Sequence, residues 1–263
     1  MNPILKVSNL SISFGGLKAV DNLSFEINDK EIYGLIGPNG AGKTTVFNCI
    51  TQFYVPDEGI VEFRGHNDEW VTLNNLKTHE VIKEGLVRTF QNIELVPELS
   101  VLDNVLIGGH IEFKTRFIHQ MFNTPSARKE EAKARQKALD ILKQVGIEQY
   151  AHMYAGALSY GVRKRIELAR SLMSDPKLIV LDEPAAGLND KETKDFTEMI
   201  KSIRDNLNCT ILLIEHDMGL VMNVCDRITA INFGKFLATG TPSEIQQDEG
   251  VITAYLGSED EDE

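Results

Sequence analysis

An unbroken apolar run, Ile32-Tyr33-Gly34-Leu35-Ile36, leads into Gly37-Pro38-Asn39-Gly40-Ala41-Gly42-Lys43-Thr44, and from Lys43 to about Phe53 apolar residues recur at helical spacing. The octapeptide fits G-x-x-x-x-G-K-[ST], and a buried strand before it with a helix after it is the setting that pattern requires. Its glycines let backbone N–H groups converge on phosphate oxygens, with Asn39 and Ala41 completing the loop. The partial positive charge at the helix N-terminus adds to that pull. Lys43 is placed to reach the β- and γ-phosphates of a nucleoside triphosphate, Thr44 to ligate Mg²⁺ and Thr45 to touch the α-phosphate.

A phosphate site also needs a carboxylate for the metal and a group that activates water. Leu178-Ile179-Val180-Leu181-Asp182-Glu183-Pro184 supplies both at the end of a second apolar strand, the edge where ligands bind in open α/β sheets. Asp182 is the expected Mg²⁺ ligand and Glu183 the expected general base. A third unbroken run, Thr210 to Ile214, follows a stretch from Lys191 to Asn206 with helical spacing through Phe196, Met199, Ile200 and Ile203, which makes a βαβ unit. Period-two alternation through Leu5, Val7, Leu10, Ile12 and Phe14, then Leu23, Phe25 and Ile27, and again over Gly59–Gly65, predicts a small antiparallel sheet beside the parallel one. Between about 92 and 172 the pattern turns helical. One helix starts at Thr124-Pro125 and ends at Gly146, and another follows Ser159-Tyr160-Gly161 and ends before Asp175-Pro176. A hairpin around Asn232–Lys235 and a helix after Thr241-Pro242 close the chain.

With 42% hydrophobic and 25% charged residues, the 263-residue chain has the balance of a globular protein. A net charge of −12, five of those charges in the terminal run Glu259–Glu263, argues against sequence-independent binding to nucleic acid. Cys49, Cys209 and Cys225 are far apart and lack metal-ligand spacing, so they read as residues of a reducing compartment. No run approaches the roughly 18 apolar residues of a membrane span.

Gly37–Thr45, Gln91, Leu158-Ser159-Tyr160-Gly161, Asp182-Glu183-Pro184 and His216, in this order over nearly the whole chain, resemble the nucleotide-binding subunits of ATP-binding cassette (ABC) transporters. The resemblance implies an α/β fold: a P-loop NTPase (RecA-like) core with a small antiparallel β-subdomain and an inserted helical subdomain. It reads 1–263 as one ATPase domain containing a helical signature subdomain at 92–172, a C-terminal helical extension at 241–258 and an acidic tail at 259–263. In such proteins an aromatic residue before the phosphate loop stacks on adenine, which is matched by Phe14, with Val20 beside the ribose. Gln91 would sense Mg²⁺ and the γ-phosphate, and His216 would contact the γ-phosphate. Ser159, Tyr160 and Gly161, in the signature, would face ATP held by a second ATPase subunit, either a different chain or another copy. Tyr160 and Val162 depart from the usual Leu-Ser-Gly-Gly-Gln, and Asn189 stands where the family usually has Asp.

Ser13-Phe14-Gly15-Gly16-Leu17-Lys18-Ala19-Val20, Glu183-Pro184-Ala185-Ala186-Gly187-Leu188-Asn189 and Ile252-Thr253-Ala254-Tyr255-Leu256-Gly257 are similar to the branch that drives branched-chain amino acid uptake. That branch implies ATP as substrate, Mg²⁺ as cofactor, two transmembrane permeases, an extracytoplasmic binding protein acting indirectly, and a place on the cytoplasmic face of the membrane. A urea importer and lipopolysaccharide export share the cassette type and remain open, whereas a DNA-repair ATPase would carry coiled coils or paired cysteines. Lys43→Ala is expected to weaken nucleotide binding roughly 10- to 150-fold, the worth of one charge-assisted hydrogen bond at about 1.5–3 kcal/mol, as read by titration with a fluorescent ATP analogue.

Overall fold

The computed structural model describes residues 2–89, 94–109 and 125–256. Its strands are β1 (Pro3–Phe14), β2 (Leu17–Asn28), β3 (Ile32–Ile36), β4 (Glu58–Arg64), β5 (Trp70–Thr72), β6 (Leu86–Arg88), β7 (Leu178–Asp182), β8 (Thr210–Ile214), β9 (Arg227–Asn232) and β10 (Lys235–Gly240). They form two sheets. One has the order β10-β9-β3-β8-β7-β6, parallel except for β10; the other, β2-β1-β4-β5, is antiparallel.

Every residue of β3, β7 and β8 is buried, which is why these strands read as unbroken apolar runs rather than alternating ones. Alternate side chains serve two cores. Ile179, Leu181, Ile211 and Leu213 pack on the helical side. Leu178, Val180, Leu212 and Ile214 pack against the inner faces of β1, β2 and the helix that follows the phosphate loop. The antiparallel sheet shows the period of two expected for it, with Leu5, Val7 and Leu10 of β1 and Leu23, Phe25 and Ile27 of β2 turned inward. Phe233 and Gly234, both at positive φ (45° and 76°), make the two-residue turn between β9 and β10.

The helices are α1 (Lys43–Ile50), α2 (Thr78–Lys83), α3 (Val101–Gly108), α4 (Pro125–Gln144), α5 (Tyr160–Leu172), α6 (Asp190–Leu207), α7 (Met218–Val224), α8 (Pro242–Gln247) and α9 (Glu249–Leu256). The predicted start of α4 at Pro125 and its end before Gly146 hold, and α5 opens directly after Ser159. Val101, Leu102 and Val105 of α3 meet Ala138, Ile141 and Leu142 of α4 and Ile166, Ala169 and Leu172 of α5 in the core that also holds Ile179 and Leu181. The helical stretch is thus welded to the sheet by one apolar cluster. Asn104, fully buried, bridges α3 to the segment before it: its side chain accepts from the Val96 N–H and donates to the carbonyls of Val96 and Ser100. A buried amide satisfied on both ends fixes that segment instead of penalising it.

Two expectations need correction. The helix after the phosphate loop stops at Ile50, not Phe53, because Gln52 takes a left-handed φ of 57° and the N–H groups of Phe53 and Tyr54 both turn back to the Asn48 carbonyl. The C-terminal extension is two short helices rather than one: α8 is set by a capping box between Thr241 and Glu244 with proline at its first position, and α9 follows after Asp248. Residues 257–263, with the acidic tail, lie outside the described residues. Among the described residues no helix is long and apolar enough to cross a membrane. Leu213→Ala removes a fully buried side chain from the middle of the parallel sheet and is expected to cost about 2–5 kcal/mol in urea denaturation.

Candidate nucleotide-binding and catalytic site

Leu35, Ile214 and Asp182 stand level across β3, β8 and β7. The three segments that leave those strand ends, Gly37–Thr44, Glu215-His216 and Glu183-Pro184, therefore emerge side by side on one edge of the sheet.

The phosphate loop is wedged between β2 and the β9–β10 turn. A Cβ on Gly42, at φ 99°, would stand 2.6 Å from the Ala19 carbonyl oxygen, and one on Gly37 would collide with the Ile231 carbonyl. The Gly234 N–H donates to the Ala41 carbonyl (2.9 Å), and the Asp21 N–H to the Gly234 carbonyl (2.9 Å), so loop, turn and β2 are stitched through backbone. Lys43 opens α1 and curls back over its own loop, its Nζ donating to the carbonyls of Gly37 (2.6 Å) and Pro38 (3.0 Å). Burial lowers the Lys43 pKa, and the nearby carboxylates of Glu183 and Asp182 oppose that shift. Asn39, Gly40 and Thr44 are exposed and Thr45 is half-buried, which leaves the outer wall of the loop accessible.

Asp182 is buried, and burial pushes its carboxyl above the usual range while Arg88 and Lys43 pull it back. Arg88 is held by stacking on Phe47 (4.1 Å to the ring centre) and Phe53 (4.7 Å) and by donating to the Asn48 side chain (2.8 Å). Glu183 turns out of β7 with a left-handed φ of 46°, its N–H donating to the Ile214 carbonyl (2.8 Å). This turn projects its partly exposed carboxylate to 3.7 Å from His216 Nδ1. Beside His216 lies Glu215, wholly buried. It accepts from the N–H groups of Ala185 (2.8 Å) and His216 (3.1 Å) and so ties the loop after β7 to the loop after β8. Glu215, Arg88 and Lys164, whose Nζ donates to the Glu183 and Pro184 carbonyls, were not singled out from the sequence. A signal existed for two of them. Glu215 follows an unbroken apolar strand, and Lys164 sits four and eight residues before Leu168 and Leu172, on the buried stripe of α5.

The remaining expected residues divide. Phe14 is 45% exposed with its ring edge against Tyr54 (centroids 5.2 Å apart), so it is a surface aromatic and not a core one. Val20 is fully buried among the residues beneath the loop, and its side chain is enclosed by protein instead of lying open to a ribose. Ser159 takes the N-cap conformation of α5, yet its side chain makes no capping hydrogen bond. Ser159 and Gly161 line a cavity of about 220 Å³ with Gln149, Arg165 and Glu192, and no phosphate-loop residue contributes to it. The Tyr160 ring packs on Gly187 and under Lys164. Asn189 caps α6 through a reciprocal pair with Glu192, a position that accepts Asn as readily as Asp. Gln91 lies outside the described residues.

The strand-end phosphate cradle with its Asp-Glu pair defines a P-loop NTPase whose signature element lies apart from its own phosphate loop. Residues 20–186 match the family described as ABC transporter, and residues 237–261 match the branched-chain amino acid ATP-binding cassette transporter. The chain is 45% identical to the high-affinity branched-chain amino acid transport ATP-binding protein BraF of Pseudomonas aeruginosa and equally to LivG of Escherichia coli, over 97% of this chain and 98% of theirs. With the lipopolysaccharide export system ATP-binding protein LptB of Haemophilus influenzae it shares 32% identity over the same fractions. The crystal structure of the ADP conformation of an ATP-binding cassette of an ABC transporter matches with a TM-score of 0.83 and 32% identity, over 98% of this chain and 100% of that one. The chain therefore belongs to the ABC transporter family, as an ATPase subunit of its branched-chain amino acid branch.

The depressed pKa of Lys43 carries a pH signature. Between its lowered folded-state pKa and 10.5 the unfolded chain holds a proton that the folded chain has released, so stability rises with pH in that window. Relative to Lys43→Met, the parent is expected to gain thermal stability as pH rises through that window, measured as the difference in Tm across a pH series.

Proposed function

We propose that the whole chain, read as a single cassette, binds and hydrolyses ATP to energise a membrane importer of branched-chain or hydrophobic amino acids. The observation that carries the chemistry is the convergence of Lys43, Asp182, Glu183 and His216 on adjacent strand ends. The loop backbone and Lys43 hold the triphosphate, and Phe14 offers a ring face for the base. Asp182 and the exposed hydroxyl of Thr44 are hard oxygen donors that suit Mg²⁺, and Gln91 belongs to the same expected set. Among the described residues no group of three or more His, Cys, Asp or Glu side chains forms a metal cage, which fits an ion whose shell is completed by phosphate oxygens and water. Bound there, Mg²⁺ would neutralise charge on the β- and γ-phosphates. Glu183 takes the proton from the attacking water, and His216, within reach of the Glu183 carboxylate, contacts the γ-phosphate.

Two features support a paired assembly. The Ser159 side chain makes no cap bond, and its cavity excludes the chain's own phosphate loop. Such a signature serves ATP held by a second subunit, with Ser159, Gly161 and the α5 N-terminus as donors to the γ-phosphate. The partner is a second ABC ATPase, with two permeases in the membrane, a binding protein outside it, and this chain on the cytoplasmic face. The amino acid assignment leans on the higher identity to the branched-chain transport proteins, 45% against 32% for the lipopolysaccharide export protein.

Glu183→Gln keeps size and hydrogen-bonding reach but removes basicity. The variant is expected to bind MgATP normally, hydrolyse it at least about a hundredfold more slowly, and accumulate as a closed ATP-bound pair. Single-turnover hydrolysis beside size-exclusion elution in MgATP measures both. Near-parental hydrolysis would take the base role away from Glu183.

A further inference from the structure

Lys164 is a charged side chain where the buried face of α5 calls for an apolar one: it is only 8% exposed. Its stem runs past the Tyr160 ring, with Nζ 5.4 Å from the ring centre, and the ammonium donates to the carbonyls of Glu183 (3.1 Å) and Pro184 (2.9 Å). Burial lowers its pKa, and the carboxylates of Glu215, Glu167 and Glu183 oppose this. A lysine kept there must offset its desolvation, and its bonds go to the backbone of the residue read as the general base and of the proline that follows it. That residue sits at φ 46°, a conformation which L side chains adopt only where their surroundings enforce it. The Glu183 carbonyl also accepts from the Ala186 N–H (3.1 Å), so the turn is closed from within and clamped from α5.

The signature lies at the start of α5, about one turn before Lys164. Five residues, or about 7.5 Å of helix axis, separate Ser159 from Lys164. The turn between them is stiffened by the Tyr160 ring, which touches both Lys164 and the segment at Gly187 that follows the Glu183 turn.

We propose that Lys164 is a positioning residue: it couples the signature at the start of α5, when that signature is engaged by ATP held on the opposing subunit, to the orientation of Glu183 in this chain's own site. The proposal rests on the catalytic reading above. Its consequence is that one subunit's base is set for attack only when its signature has closed on the other subunit's nucleotide, which makes the two ATP sites fire as a coupled pair.

The test uses the assembled complex purified from its membrane, with MgATP as ligand. Steady-state ATPase is measured over a range of ATP concentrations, with nucleotide affinity and thermal unfolding measured beside it. Lys164→Met is expected to lower kcat about tenfold or more through misplacement of the base. The KM and ATP affinity should stay within about twofold of the parent, while the Hill coefficient falls from about 2 toward about 1. Lys164→Arg, which keeps a buried cation with donors, should recover most of the kcat and the cooperativity. Unchanged kcat and Hill coefficient in Lys164→Met would overturn the proposal. So would an equal loss of kcat, ATP affinity and melting temperature in both variants, the pattern of a merely structural lysine. Absence of ATP turnover in the parent complex would overturn the catalytic reading itself, and is told apart because it precedes any substitution.

Discussion

Burial of β3, β7 and β8 on both faces leaves these strands one way to lie, in parallel and in register, and that register aligns the ends from which the phosphate loop, Glu183 and His216 depart. A shift of one residue in β7 would turn Asp182 to the opposite face and move Glu183 off the edge. No single polar contact holds the site. It is held by apolar strands whose alternate residues fill two separate cores, so the chemistry inherits its precision from packing that takes no part in it.

The polar contacts perform a second task, joining the loops to one another once the strands have brought them level. Glu215 links the turn after β7 to the turn after β8, the β9–β10 turn braces the phosphate loop, and Arg88 stands against Asp182. Each places a charged or backbone group where water is largely excluded. There an unpaired group would be costly and a paired one becomes a rigid strut. The same economy explains Lys43, which spends its ammonium on its own loop's carbonyls and thereby keeps a cation at the mouth of the cradle.

Much of this was legible in the sequence because the features that carry it are local. Strands buried on both faces appear as apolar runs, the cradle as a glycine pattern, and α4 as a proline start with a glycine stop. The three-residue strands β5 and β6 leave no signal because so short a stretch shows no period, and α2 has six residues and a single buried one, Val81. The end of α1 is hidden in the sequence because Phe53 continues the apolar spacing while the backbone at Gln52 has already turned left-handed. Val20 reads as a residue beside the ribose, but its side chain is fully buried in the core beneath the phosphate loop. Long-range struts such as Lys164 to Pro184 have no local period at all and become visible only when the chain is folded.

The backbone at Glu183 has a consequence for how this protein can change over generations. A non-glycine residue in the left-handed region costs roughly 1–2 kcal/mol, and here the cost falls on the residue proposed as the general base. Glycine at this position would relax the turn and stabilise the fold. On the role proposed for Glu183, a population screened only for heat resistance would drift toward a cassette that is sturdier and idle, and Glu183 would survive there only where turnover itself is under selection.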